Sequence, residues 1–238
     1  MLGRIVIGKG GRDEAEKPFW ISFSDLMTAL MMLFLVVMTI SLLSVTQKLR
    51  DVQVEEQERV NAISRIVSQL KHEADKHEGI SIKANGDVVI VDFGPKVKFD
   101  NGKHVISEDA ASSLRSFAPK ILEMAKSDDG RRWFRRIIVE GFTSRTGDYL
   151  LNLDLSLKRA ERVVCSLLDP TGPNNLDDRQ KQAVRRLFLV AGFSSNSLKA
   201  SDEESRRVEW RLDFRAVKEP LKANDIEQWD VPLGMCRI

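Results

Sequence analysis

The strongest constraint on this chain is an apolar run near its N-terminus. Residues 26–45 are all apolar, Ser or Thr, and the apolar character begins at residue 19, between Lys17 and Lys48. A run of this length is sufficient to cross a lipid bilayer as one helix. The sequence therefore predicts a transmembrane helix over residues 19–45.

Asp25 is the one charged residue inside this predicted helix. A carboxylate near the bilayer centre costs about 2.5–3.5 kcal/mol, so such a residue normally faces protein or water and has a function. We interpret Asp25 as an ion-carrying or proton-carrying residue, with Ser24 and Thr28 as residues that line the ion path. The alternative is an Asp at the membrane surface whose side chain reaches water, with Trp20 as an interfacial anchor beside it.

The remainder of the chain predicts a bitopic protein with one soluble domain. Roughly 190 of the 238 residues lie outside the span, which is room for one ordinary domain and its connectors. The apolar run is not followed by a small-residue cleavage site, so we expect it to stay as an uncleaved anchor. The formal net charge of +2 gives no indication of a nucleic-acid partner.

The charges that flank the span do not decide its orientation. Four Lys or Arg residues occur in the first 17 positions, and Lys48, Arg50 and Arg59 follow the span. This distribution is too even for the positive-inside rule. We expect a single-pass protein of the inner membrane, with a cytoplasmic tail over residues 1–18 and a periplasmic domain.

The two cysteines, Cys165 and Cys236, are far apart in the sequence. Their spacing does not indicate a disulfide, and we expect two free thiols. A periplasmic location would weaken that expectation, because disulfides persist in oxidising compartments.

Residues 46–78 contain no Gly or Pro, and Gly79 follows them. This composition predicts a helical connector that continues from the membrane. Apolar residues with a spacing close to three and four are Leu49, Val60, Ile63, Val67 and Leu70. Gln53 and Glu56 interrupt this seam. Two interpretations follow, a helix that pairs with a second copy of the chain and a solvated single helix.

The pattern after residue 79 is mixed. Strands are predicted at residues 88–93, 97–99, 137–140, 186–191 and 207–214, and helices at 108–126 and 155–168. Strands that alternate with helices indicate an α+β domain with a mixed sheet, over residues 79–218. Residues 169–178 are predicted to form a surface loop, and residues 219–238 a C-terminal tail.

Catalytic and metal sites are not indicated. The sequence does not bring a nucleophile, a base and an orienting group into one motif, so we expect no enzymatic activity. His72 and His77 are five residues apart and do not share a helix face, so they do not predict a metal site.

Arg159 is the most informative residue of the predicted domain. If the surrounding helix starts near Asp154, the guanidinium lies in its first turns and can form a bidentate pair with a carboxylate. The Asn152 side chain and the helix N-terminus add donors beside it. These groups predict a pocket for an anionic group.

The same region resembles a known family. Residues 139–168, VEGFTSRTGDYLLNLDLSLKRAERVVCSLL, are similar to the core of the OmpA-like peptidoglycan-binding family. The matching positions are Glu140, Gly141, Thr143, Gly147, Asn152, Leu155, Ser156, Arg159 and Ala160. Upstream VKFDNGKHVISEDAASSL and the closing RRVE of residues 206–209 extend the resemblance over residues 80–217.

This resemblance implies a pocket that holds the free carboxylate and amine of a diaminopimelate-type stem peptide. The implied binding residues are Thr143, Ser144, Asn152, Leu155 and Arg159. Two positions depart from the family pattern, because Ser144 replaces the Asp that contacts the ligand amine and Phe142 replaces a His. A domain with a purely structural role is the alternative.

The membrane segment resembles a second family. Residues 23–38, FSDLMTALMMLFLVVM, are similar to the span of MotB-type stator subunits, and the wider sequence is most similar to the ZorB branch of Zorya anti-phage defence systems. The resemblance implies a homodimer surrounded by a pentamer of MotA-like (ZorA-type) membrane subunits. It also implies transport of H+, or of Na+, through Asp25, without a bound cofactor. A flagellar stator subunit and a passive peptidoglycan-tethered anchor are the alternatives.

Overall fold

The computed structural model describes residues 17–219 and positions 232, 234 and 236. The chain divides into two compact units, Met1–Glu55 and Glu56–Ile238. This boundary precedes the predicted start of the soluble domain at residue 79. Residues 1–16 of the predicted N-terminal tail, and most of the C-terminal tail, lie outside the described residues.

The first helix, α1, spans Lys17–Ala74 without interruption. Its interior contains no Gly or Pro after Pro18, which lies in the first turn, where a proline is tolerated. Within the described part of the chain, α1 is the one helix long and apolar enough to cross a membrane, with a mean hydropathy of 2.5 in its apolar window. The predicted span and helical connector are therefore parts of one continuous helix.

The second unit contains a five-stranded mixed sheet. Its strands are β1 (Ser81–Asn85), β2 (Val88–Asp92), β3 (Phe134–Gly141), β4 (Phe188–Gly192) and β5 (Val208–Phe214). The spatial order is β1-β2-β5-β3-β4, and only the pair β3 and β4 is parallel. This confirms the α+β prediction. Residues 97–99, predicted as a strand, form a single bridge between Lys98 and Arg207, and β1 was not predicted.

Five helices follow α1 in the described residues: α2 (Glu108–Ala125), α3 (Asp128–Trp133), α4 (Tyr149–Leu168), α5 (Asp178–Leu187) and α6 (Asp202–Ser205). A 3-10 turn occupies Gly94–Lys96. The prediction for α2 is confirmed, whereas α3 and α5 were not predicted. Helix α4 begins six residues earlier than predicted, which changes the position of every candidate binding residue on it.

One hydrophobic core joins the sheet to the helices. Alternate residues of the central strands, such as Val91, Val139 and Trp210, are buried in it. Trp210 is fully buried, and Phe93 and Phe188 meet its ring edge-on at centroid distances of 4.7 and 5.2 Å. Such aromatic pairs stabilise a core beyond the area that they bury.

The last part of α1 belongs to this core. Buried apolar residues on it are Ala62, Ile63, Ile66, Val67, Leu70 and Ala74. Arg59 fixes the start of this segment, because its side chain donates to the Arg215 carbonyl at 2.6 Å and to Asp87 at 2.7 Å. The predicted seam is therefore divided: Ile63, Val67 and Leu70 pack on the chain's own domain, and Leu49 and Val60 stay exposed.

A disulfide bond joins Cys165 of α4 to Cys236. The prediction of two free thiols is wrong. Cys236 lies 71 positions after Cys165 in the sequence, and a contact over that sequence distance produces no local pattern that predicts the pairing.

Candidate functional site

Asp25 lies on the exposed surface of α1 in the first unit. Its neighbours Leu26 and Met27 are 65% and 44% exposed. No hydrogen bond or ion pair joins the Asp25 carboxylate to another residue that the structure describes. Any partner of this charge therefore has to come from outside the described chain.

Ser24 and Thr28 lie within one helical turn of Asp25. The Thr28 hydroxyl donates to the Ser24 carbonyl at 2.7 Å, so its hydrogen is used inside the helix and its lone pairs remain free. Residues three apart share a helix face, which places Thr28 beside Asp25. The three residues of the predicted ion path are therefore adjacent.

The second candidate site lies where β3 ends and α4 approaches it. Gly141 is so close to α4 that a Cβ there would lie 1.9 Å from the Ser156 carbonyl oxygen, so a larger residue does not fit. The Ser156 hydroxyl donates to the Leu153 carbonyl at 2.8 Å and accepts from the Ser194 amide at 3.0 Å. Three segments, β3, α4 and the loop after β4, are thereby fixed together.

Thr143 and Ser144 follow this close contact and are buried, with 1% and 4% exposure. The Thr143 amide donates to the Ser194 carbonyl at 3.0 Å. The Thr143 hydroxyl is buried without a hydrogen-bond partner among the described residues. A buried polar atom left unpaired costs about 1–3 kcal/mol, so this hydroxyl is a candidate ligand contact.

Asn152 lies inside the first turns of α4, not before them. Its side-chain amide donates to the carbonyls of Thr146 at 3.0 Å and Gly147 at 3.4 Å, and the side chain is buried. Leu155 is half-buried one turn later. Asn152 therefore holds the turn between β3 and α4 in place.

Arg159 is fully buried, ten residues after the start of α4. Its guanidinium donates to three main-chain carbonyls, those of Lys103 at 3.0 Å, Phe142 at 2.8 Å and Asp100 at 3.1 Å. Burial lowers the pKa of Arg159 to about 10, and the positive charge of Arg206 acts in the same direction. The side chain also stacks on Phe99, with its guanidinium carbon 5.1 Å from the ring centroid.

These contacts differ from the geometry expected for Arg159. The predicted helix start near residue 154 would place the guanidinium beside the helix N-terminus, whereas α4 starts at Tyr149. In the structure the guanidinium ties the segment around Asp100 and Lys103 to the end of β3. Asn152 and Arg159 hold the main chain around the turn, and Arg159 reaches Phe142, the residue before Thr143 and Ser144.

Phe142, which stands at the family's His position, is also a packing residue. Its ring stacks on Phe193 at 5.3 Å, and the Arg207 guanidinium lies 4.1 Å from its centroid. Arg207 in turn donates to Glu209 at 2.7 Å. The two aromatic rings and the Arg207 guanidinium thus form one stack at Phe142, the residue before Thr143.

Two buried carboxylates face each other in the same part of the sheet. Glu140 of β3 pairs in register with Glu209 of β5. Glu140 bonds to Arg211, and Glu209 to Arg207 and, at 3.3 Å, to Lys199. Burial raises the pKa of Glu140, and the nearby Glu209 charge adds to this effect against the opposing effect of Arg211.

The turn also carries two exposed charged residues, Arg145 and Asp148, that the sequence did not single out. Arg145 lines a cavity of about 360 Å³. Among the described residues, no group of three or more His, Cys, Asp or Glu side chains is arranged to hold a metal ion.

Sequence comparisons identify the family. The family described as membrane MotB of the proton-channel complex MotA/MotB matches residues 8–52. Zorya protein ZorB of Escherichia coli O139:H28 (strain E24377A / ETEC) is 41% identical over 225 residues, which cover 93% of this chain and 91% of that protein. This chain belongs to the ZorB family. The predicted resemblance is confirmed, and the chain is a single-pass, stator-like membrane subunit of that family, not an enzyme.

Other similarities cover the soluble part of this ZorB-family chain. Probable lipoprotein YiaD of Escherichia coli (strain K12) is 27% identical over 134 residues, 56% of this chain and 55% of that protein. A solved periplasmic domain of Helicobacter pylori MotB is 21% identical, with 60% of this chain and 84% of that chain covered and a TM-score of 0.43.

Proposed function

We propose that this chain is the ion-conducting, peptidoglycan-anchored inner-membrane subunit of a stator-type motor that acts in anti-phage defence. The observation that carries the proposal is the 41% identity to a Zorya protein over 93% of the chain. That identity favours the defence role over the flagellar one. The exposed Asp25 carboxylate supplies the ion-carrying group, and the turn that follows β3 around Thr143 supplies the peptidoglycan-binding site.

In this proposal Asp25 carries a proton across the membrane. Protonation neutralises the carboxylate, and release of the proton restores a charge that the apolar surroundings disfavour. Each change alters which contact with a surrounding subunit is most favourable. One proton that crosses the membrane potential supplies about 2.3 kcal/mol per 100 mV, which is enough to bias contacts that differ by that amount. The description of the matching family as part of a proton channel favours H+ over Na+.

The proposed assembly is a homodimer of this chain inside a pentamer of MotA-like (ZorA-type) subunits. Large apolar side chains of α1 are exposed along its apolar run, from Trp20 to Val45, and Asp25 has no described partner in its own chain. A membrane helix with such a surface packs against lipid and other helices. Asp25 then reaches its partners in the surrounding ring.

The proposed topology is a cytoplasmic N-terminus and a periplasmic second unit. The Cys165–Cys236 disulfide supports it, because disulfides persist in the periplasm and are rare in the cytosol. Peptidoglycan is the proposed ligand of the turn between β3 and α4. The buried, unpartnered hydroxyl of Thr143 supports a ligand at this turn.

The test is phage protection by cells that express the full system with one substitution. Asp25→Asn keeps the size and hydrogen bonding of the side chain but not its charge cycle, so protection should be lost while expression and complex assembly are unchanged. Asp25→Glu should retain partial activity at most. Asp51→Asn is the matched control, because Asp51 is exposed on the same helix outside the apolar run. Wild-type protection by Asp25→Asn would contradict the proposal.

A further inference from the structure

Asp25 lies near the start of the membrane-spanning part of α1, and the apolar run of residues 26–45 separates it from the other end. At 1.5 Å per residue this run is about 30 Å long. In the proposed topology, a proton from the periplasm has to cross most of that length before it reaches the Asp25 carboxylate. Because a bare charge is not stable in hydrocarbon, polar atoms or water molecules have to line its route.

Three threonines of α1 lie on the same side of the helix as Asp25. Thr28, Thr39 and Thr46 follow Asp25 by three, 14 and 21 positions. At 3.6 residues per turn, all three lie within about 60° of Asp25 around the helix axis, at axial distances of about 5, 21 and 32 Å. We call these three residues the threonine row, and every threonine of α1 belongs to it. The row begins at the far end of the apolar run and ends beside the carboxylate.

The hydroxyl groups of the threonine row present acceptor oxygens at the helix surface. Each hydroxyl donates its hydrogen to the carbonyl oxygen four positions earlier, at 2.7 Å for Thr28, 2.7 Å for Thr39 and 3.0 Å for Thr46. Since the hydrogen is used inside the helix, the oxygen lone pairs remain for a donor outside it. All three residues are exposed on α1. Such an oxygen accepts a hydrogen bond from a water molecule or from a hydrated proton.

The serines at the far end of the same run do not lie on this side of the helix. Ser41 is about 160° from Asp25 around the helix axis, and Ser44 is about 100° from it. The Ser41 hydroxyl also donates inside the helix, to the Val37 carbonyl at 2.8 Å. The internal hydrogen bond is therefore shared by hydroxyl side chains on both sides of α1, and the alignment with Asp25 distinguishes the threonine row.

The threonine row has one wide interval. Thr39 and Thr46 are about 10 Å apart along the axis, a distance that a short chain of water molecules can bridge. Between Thr28 and Thr39 the distance is about 16 Å, and Met32 and Leu35 occupy that side of the helix. Polar groups of the surrounding subunits therefore have to line the route at the depth of Met32.

We propose that Thr39 and Thr46 are positioning residues of the ion path, and that their hydroxyl oxygens hold the water molecules through which a proton reaches Thr28 and Asp25. This inference rests on the proposed ion-carrying function of Asp25. Each water molecule accepts one proton and releases another, and the last one releases its proton to the Asp25 carboxylate. The threonine hydroxyls accept hydrogen bonds from these water molecules and keep their own hydrogens.

Packing against a neighbouring membrane helix is the other role that a threonine can have in such a helix. The two roles predict opposite results, because Val has the shape of Thr without the hydroxyl and Ser has the hydroxyl without the methyl group. If Thr39 holds water, Thr39→Val impairs transport and Thr39→Ser retains it. If Thr39 only packs, Thr39→Val is tolerated and Thr39→Ser is the damaging change.

The test is proton flux into sealed vesicles that contain the full-length chain and its MotA-like partner, with an imposed membrane potential. Thr39→Val and Thr46→Val should each lower the flux by about three- to tenfold, the effect of one lost hydrogen bond along the path, with assembly unchanged. Thr39→Ser should stay within about twofold of the wild type. Ser41→Ala removes a hydroxyl from the opposite side of α1, so it is the matched control and should conduct as the wild type.

The outcomes separate this inference from the function on which it rests. Background flux in the wild type would overturn the proposed function of Asp25 and this inference together. Wild-type flux in both valine variants, with Asp25→Asn at background, would overturn this inference alone. Flux that is lost in Thr39→Ser and kept in Thr39→Val would also overturn it, as would loss of assembly in both valine variants, because either result makes the threonines packing residues. An equal loss of flux in Ser41→Ala would contradict the importance of the Asp25 side of the helix.

Discussion

The two units of this chain treat charge in opposite ways. In the first unit, one carboxylate, Asp25, lies on an apolar helix surface without a described partner in its own chain. In the second unit, buried cations are compensated internally: Arg115 bonds to Glu108, Ser166 and Pro173, and Arg159 to three main-chain carbonyls. The uncompensated charge of the first unit is therefore the candidate functional group, and the buried, compensated charges of the second unit maintain the fold.

This difference predicts that substitutions in the first unit affect activity and substitutions in the second unit affect stability. Removing the Asp25 charge should abolish activity without a loss of stability, because the fold does not depend on that charge. Removing a buried cation of the second unit should lower stability first, because it leaves buried acceptors unpaired. The predictions below test this separation.

The largest expected effect comes from truncation on either side of the unit boundary. A chain that ends at residue 55 should insert in the membrane and stay monodisperse in detergent. A chain that ends at residue 78 retains Ile63, Ile66 and Leu70 without the core that buries them, so it should aggregate or be degraded. Membrane fractionation and size-exclusion chromatography measure this. Equal behaviour of the two truncated chains would place the boundary elsewhere, and neither should protect against phage.

Loss of the disulfide should destabilise the second unit strongly. Replacing Cys165 and Cys236 by Ser frees a loop with a sequence separation of 71. Loop-closure entropy gives a loss of about 4 kcal/mol in the free energy of unfolding. Denaturant unfolding with and without reductant measures this. The reductant should lower the free energy of unfolding of the wild type and leave that of the double variant unchanged. A wild-type free energy of unfolding that is the same with and without reductant would contradict the prediction.

Arg159→Ala should lower the free energy of unfolding by about 3 kcal/mol, because three buried carbonyls lose their donors. Arg179→Ala, at an exposed position of α5, is the control and should stay within about 0.5 kcal/mol of the wild type. If Arg159→Ala instead removes peptidoglycan binding at unchanged stability, Arg159 is a ligand residue, as the sequence alone predicted.

The smallest effect is expected for Glu140→Gln. Because the folded-state pKa of Glu140 lies above its ordinary value of 4.5, the folded protein binds this proton more tightly than the unfolded chain does. Stability from this group is therefore present at acidic pH and is lost as the pH rises above 4.5 and through the raised pKa. The variant should show a flatter pH dependence of unfolding and a gain at neutral pH. An unchanged pH profile would contradict the assignment.

The sequence predicted the first unit well because its signal is local. A long apolar run and one carboxylate define both the span and the residue of interest, and no distant contact is needed. In the second unit, helix α2 and strands β2, β3 and β5 were found because alternate or periodic apolar residues face one core. These periodic patterns can be recognised in the sequence without knowing which residues pack against them.

The remaining elements depend on features that periodicity does not report. Helix α5, DRQKQAVRRL, buries only Ala183 and Val184, so its apolar pattern is weak; the capping box of Asp177 and Gln180 was the available signal. Leu150 and Leu151 lie in the first turn of α4 and are exposed. They do not fit the pattern of a helix with one buried apolar face, so the sequence did not indicate where α4 begins. The burial of Arg159 and the pairing of Cys165 with Cys236 arise from contacts between distant segments, which no local motif encodes.

Proton entry into sealed vesicles tests the central claim most directly. Vesicles that contain the full-length chain and its MotA-like partner, with an imposed membrane potential and a pH-sensitive dye inside, report proton flux. The account predicts flux for the wild type and for Asp51→Asn, and flux at the background level for Asp25→Asn, with assembly of all three unchanged. Proton flux through Asp25→Asn equal to that of the wild type would contradict the claim that Asp25 carries the ion.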